Sequence, residues 1–60
     1  MLLFINGEAA SKYQALNHLL VSNLSCDPEE LKAIFIKACT KQGEHQRDLL
    51  IADGIEIIVE

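Results

Sequence analysis

Leu49-Leu50-Ile51-Ala52-Asp53-Gly54-Ile55-Glu56-Ile57-Ile58-Val59 sets two apolar runs on either side of an Asp-Gly pair. Asp-Gly between two strand-compatible runs signals a two-residue hairpin, because a tight turn needs residues that tolerate positive φ. The expected hairpin covers about 48–59. In that register Ala52 faces Ile55 and Leu50 faces Ile57, so Leu50, Ala52, Ile55, Ile57 and Val59 share one face. The other face holds Leu49, Ile51, Glu56, Ile58 and Glu60. A rival reading makes residues 45–52 a short third helix ended by Gly54, with a single C-terminal strand. That reading accounts for Arg47 and Asp48 equally well, and the hairpin is the preferred one.

Upstream, Asp27-Pro28-Glu29-Glu30 is a strong local helix start. Asp27 fits the N-cap, Pro28 the first helical position, and Glu30 the far side of a capping box. Glu29 and Glu30 lie where the helix dipole favours anions. Leu31, Ile34, Phe35, Ala38 and Cys39 form one apolar stripe, and Gly43 suits the residue after the helix end. The expected helix covers about 28–42, and Ile36 lies off its stripe. An earlier helix is expected over about 9–24. Tyr13, Leu16, Leu20 and Leu24 recur on one of its faces, widened by Leu19. Its start is open, because Ser11 and Gln14 form a possible capping box and Asn6 a possible earlier cap.

Leu2-Leu3-Phe4-Ile5 reads as a strand. It lacks polar alternation, so burial on both faces is expected. Asn6-Gly7 ends it, either as a tight hairpin into Glu8-Ala9-Ala10 or as the approach to the first helix. The expected fold is α+β: a small β-α-α-β-β domain with two helices on one face of a three-stranded sheet. Two helices cover one sheet face only. The other then carries Leu49, Ile51 and Ile58, together with either Leu3 and Ile5 or Leu2 and Phe4; Leu49, Ile51 and Ile58 are the expected dimer interface, formed by sheet stacking or by edge pairing of the terminal strand.

Sixty residues make one domain with a narrow stability margin, and a half-hydrophobic composition is too apolar for disorder. The net charge of −4 resides wholly in residues 27–60. It disfavours general phosphate binding and suits a basic protein surface. Glu44, Asp48, Glu56 and Glu60 are the candidate partner-binding residues. The start lacks a basic region and a long apolar stretch, so no signal peptide is expected, and no apolar run has transmembrane length. Two cysteines do not make a disulfide framework. The expected setting is cytoplasmic, with both thiols free.

Chemistry-bearing residues are sparse. His18, Cys26, Cys39 and His45 lack the close pairing of zinc ligands, so no metal and no cofactor are expected. A Cys26–His18 or Cys26–His45 nucleophile has no supporting motif, and Asp27, Glu29 and Glu30 oppose a thiolate at Cys26. No catalytic residue is assigned, and the protein is expected to be non-enzymatic.

A strand followed by two helices is the order of ribbon-helix-helix DNA-binding or antitoxin-type dimers, which is the alternative reading. Leu2–Ile5 offers no polar side chain to base edges, and three acids crowd the second helix start, so nucleic acid is disfavoured. Lys37, Lys41 and Arg47 read as a solvated helix face. Phe4-Ile5-Asn6-Gly7-Glu8 and Ala52-Asp53-Gly54-Ile55-Glu56-Ile57-Ile58-Val59 resemble the ends of small β-grasp sulfur carriers of the thiamine and molybdopterin pathways. That resemblance implies a strand over Ala33–Lys37. The carriers work through a C-terminal Gly-Gly, and this sequence has Val59-Glu60, so carrier activity is not implied. The principal expectation is a regulatory or adaptor homodimer with a basic protein partner and no membrane contact.

Overall fold

A computed structural model describes residues 1–60. The elements run β1 (Leu2–Ile5), β2 (Glu8–Ala9), α1 (Lys12–Ser22), α2 (Pro28–Ala38), α3 (Glu44–Ile51) and β3 (Ile55–Ile58). The α+β class matches expectation, but there are three helices, and the sheet is antiparallel in the order β2-β1-β3.

Asn6-Gly7 makes the first turn. Asn6 at φ 50° and Gly7 at φ 84° are both left-handed, which suits a two-residue turn between twisted antiparallel strands. β1 pairs with β2 through Phe4 opposite Ala9 and Ile5 opposite Glu8. On its other side β1 pairs with β3, Leu2 opposite Ile58 through Ile5 opposite Ile55. The central strand is thus the N-terminal one, and its last partner is the end of the chain. The Met1 ammonium donates to Glu60 Oε1 at 3.1 Å across that junction.

Residues 48–59 do not form a hairpin. Residues 44–51 are α3, in line with the rival reading. Asp53-Gly54 closes a helix rather than joining two strands: the Asp53 amide donates to the Leu50 carbonyl and the Gly54 amide to that of Ile51. Gly54 then turns the chain at φ 76° into β3. An apolar tetrapeptide such as Leu49–Ala52 has no periodicity of its own, and packing chose its conformation.

α1 packs on β1, α3 packs on β3, and α2 packs on both α1 and α3. Leu3, Ile55 and Ile57 from the sheet meet Ala15, Leu19, Leu31, Phe35, Ala38 and Leu50 from the helices in one core. β3 alternates cleanly, with Ile55 and Ile57 buried and Glu56 and Ile58 exposed. β1 is not buried on both faces as expected: Leu3 is inside, whereas Leu2 is 51% exposed.

The buried stripe of α1 is rotated from the one its spacing suggested, whereas that of α2 is not. α1 starts at the Ser11–Gln14 capping box, with both reciprocal hydrogen bonds present. Its buried residues are Ala15 and Leu19, while Tyr13 and Leu24 lie in solvent. The small Ala15 is fully buried where a strict leucine stripe would not place it. In α2, Leu31, Phe35 and Ala38 are buried as expected, and Asp27 caps by accepting from the Glu29 amide. Cys39 is the C-cap, so α2 stops short of residue 42. Gly43, expected after the end of α2, is instead the N-cap of α3 at φ −92°. A Cβ there would collide with the Lys37 carbonyl, so Gly43 lets the α3 start lie against the last turn of α2.

Candidate interaction surfaces

Strand alternation places Leu2 and Phe4 of β1, with Glu56 and Ile58 of β3, on the sheet face turned away from the helices. Leu2 and Ile58 stand directly opposite one another and are 51% and 42% exposed. Phe4 is half-buried and sits across from Glu56 on one side and Ala9 on the other. The outer edge of β3 has no neighbouring strand. This face combines apolar side chains with a free row of strand backbone groups, the two features by which sheets join other chains.

The residues expected to form the dimer face are separated. Ile58 is on the outer sheet face, but Leu49 and Ile51 belong to α3. On a helix, consecutive residues turn by about 100°, so Leu49 and Ile51 emerge on opposite flanks of the buried Leu50. Both are exposed. They do not share a sheet face with Ile58, because they are not in the sheet. Of the two β1 pairs that could accompany Ile58, it is Leu2 and Phe4 that share its face, since Leu3 is buried on the other.

The four candidate acids are likewise spread. Glu44 and Asp48 lie four apart on α3, and both are exposed. Glu56 points from the outer sheet face, and Glu60 is tied to the chain's own ammonium. Only the first two lie together on one helix.

Two further clusters stay within the fold. His18 Nε2 lies 2.8 Å from the Asp53 carbonyl oxygen, and Asn23 Nδ2 donates to Leu19 O at 2.9 Å and Asp53 Oδ2 at 3.2 Å. These contacts hold the α3–β3 turn against α1. His18 faces a backbone carbonyl, and neither thiol is in hydrogen-bond reach of an imidazole. Arg47 donates to the carbonyls of Ala38, at 3.0 Å, and Thr40. It closes the end of α2 instead of joining Lys37 and Lys41 on a solvated face. Nothing in the sequence around Arg47 signals this, since its partners lie across a turn. No three His, Cys, Asp and Glu side chains gather as a metal site would require.

A groove of about 500 Å³ opens between the first turns of α1 and the last turn of α2. Lys12, Tyr13 and Leu16 line one side, and Phe35, Ile36 and Cys39 the other. Burial raises the Cys39 thiol pKa, partly offset by the positive charges of Lys12 and Arg47.

β1 is bonded along both edges within its own chain, which leaves it no edge for the intermolecular ribbon of a ribbon-helix-helix dimer. Ala33–Lys37 lies inside α2, where the β-grasp resemblance implied a strand. Comparison with family models, curated proteins and solved structures finds no match for this chain. No helix is long and apolar enough to cross a membrane.

Proposed function

We propose that this protein works without catalysis, as a regulatory or adaptor homodimer that binds another protein in the cytoplasm with both thiols reduced. The dimer forms across the outer sheet face, through Leu2, Phe4 and Ile58, with the β3 edge available to extend the sheet between copies. The exposed Leu2–Ile58 pair carries this reading. A cross-strand apolar pair standing in water beside a free edge is a surface that a second, symmetry-related copy covers with the same residues. Glu44 and Asp48 on α3 stay outside that face and meet a basic partner.

Sedimentation equilibrium at micromolar concentration tests the dimer. The wild type is expected to be dimeric, and Leu2→Glu combined with Ile58→Glu is expected to give a monomer with unchanged helical circular dichroism. A wild-type monomer overturns the reading. For the acidic pair, an oligolysine peptide is expected to shift the Glu44 and Asp48 resonances in a salt-sensitive way. Retained binding after charge reversal at both would remove them from the surface.

A further inference from the structure

We propose that Asn6-Gly7 is a self-modifying site, at which the Gly7 amide nitrogen of the folded protein attacks the Asn6 side-chain amide and residue 6 becomes isoaspartate or aspartate. The step needs water and no other reactant. A bond forms between Gly7 N and Asn6 Cγ, and the side-chain nitrogen leaves as ammonia with the proton from the Gly7 amide. The product is a cyclic imide. Water then opens one of its two carbonyls. Opening at the main-chain carbonyl leaves the backbone running through Cβ, as isoaspartate. Opening at the side-chain carbonyl gives aspartate.

The turn leaves the reacting groups free. Gly7 is exposed, and nothing lies within 4 Å of the place a Cβ would take, so hydroxide reaches its amide. Neither the Gly7 amide nor the Asn6 carbonyl makes a backbone hydrogen bond. The Asn6 side chain is also exposed. It leans on Gly54 but makes no hydrogen bond of its own.

The turn type brings those groups within one rotation of reaction. Positive φ at both Asn6 and Gly7, 50° and 84°, is the type I′ pattern. A five-membered ring closes when Gly7 N eclipses Cβ about the Asn6 Cα–C bond, at ψ near about −120°, the value at the first central residue of a type II′ turn. Type II′ keeps the positive φ of that residue. The change is a flip of the single peptide between Asn6 and Gly7, whose two polar groups are unbonded. Glycine accepts either sign of φ, and both turns suit a two-residue hairpin.

Asp53-Gly54 is the other pair in the chain with the atoms for this ring, and the fold blocks it. The Gly54 amide donates to the Ile51 carbonyl at 2.9 Å, and Asn23 Nδ2 donates to Asp53 Oδ2 at 3.2 Å. Asn17 lies within α1, where helical bonding occupies the next amide, and the Asn23 side chain is tied to Leu19 O. The inference does not depend on the dimer, since the turn shares no residue with Leu2, Phe4 and Ile58.

Incubation of the folded wild type in mildly alkaline buffer, beside a sample in urea, tests it by peptide mapping. Isoaspartate is expected at residue 6 of the folded protein, ahead of any change at Asn17 or Asn23. The product should carry one negative charge more than the −4 of the starting chain. Asp53-Gly54 should isomerise about tenfold or more slowly in the folded protein than in urea, because two hydrogen bonds must open first. Asn6→Asp supplies the charge without the added backbone atom. The isoaspartyl form should shift the Glu8 and Ala9 amide resonances further than that variant does, since a longer turn disturbs the Ile5–Glu8 pair. The proposal is overturned if the folded protein forms no isoaspartate at residue 6, if Asn17 or Asn23 converts as fast, or if aspartate is the sole product.

Discussion

Gly54 sits at φ 76°, and a Cβ there would run into Oδ1 of Asn6. Asn6 is bound to this turn in another way, since its amide donates to the Gly54 carbonyl at 2.8 Å. Gly54→Ala therefore meets a left-handed backbone penalty and obliges the Asn6 side chain to move aside. The expected loss is about 1–2 kcal/mol or more, read from urea unfolding. The second residue-scale expectation concerns Cys39, whose thiol pKa burial raises above the ordinary 9.0. The native state then holds this proton more tightly than the unfolded chain does. The resulting stabilisation is complete below the unfolded-state pKa and is lost as pH rises through the folded one. Urea midpoints are expected to fall in alkaline solution, and Cys39→Ala should flatten that fall. An unchanged slope in the variant would assign the fall to other groups. Asp-Gly was visible as a turn from sequence. Which elements it joined was not, because helix ends and hairpins both use a left-handed glycine.

At the scale of elements, local chemistry was legible wherever a cap carried it. Ser11 with Gln14 and Asp27 with Pro28 mark two helix starts through side chains that bond to amides a few residues away. The start of α3 has no such mark. Gly43 caps it without a side chain, and its stability derives from contact with α2 and β3. Arg47 is the polar part of that contact. Arg47→Met would keep the aliphatic stem and free the Ala38 and Thr40 carbonyls. A loss of about 1–2 kcal/mol is expected, with the thermal midpoint reporting it. An unchanged midpoint would mean that water satisfies those carbonyls equally well. The third helix was legible only as a rival to the hairpin, and the choice between them was hidden for the same reason that the role of Arg47 was: the supporting partners are distant in sequence or across a turn.

For the molecule as a whole, the opposing quantities are a small core and a surplus of apolar surface. Nine hydrophobic residues are buried, while Leu2, Leu49, Ile51 and Ile58 remain in contact with water. If the outer sheet face joins two copies, stability is linked to association. The wild-type thermal midpoint should then rise with protein concentration, and that of the Leu2→Glu, Ile58→Glu variant should not. A midpoint independent of concentration in both would argue against the dimer. From sequence alone came the α+β class, the first strand, two capped helices and the excess of apolar residues near both ends of the chain. Those follow from propensity, capping and alternation, which act over a few residues. The third helix, the central position of β1 and the identity of the exposed apolar face were decided by tertiary packing. One more helix let α3 bury Leu50 between α2 and β3, and pairing β3 with β1 turned Leu2 and Ile58 outward together. Both outcomes depend on contacts between segments far apart in the chain, where local periodicity carries no information.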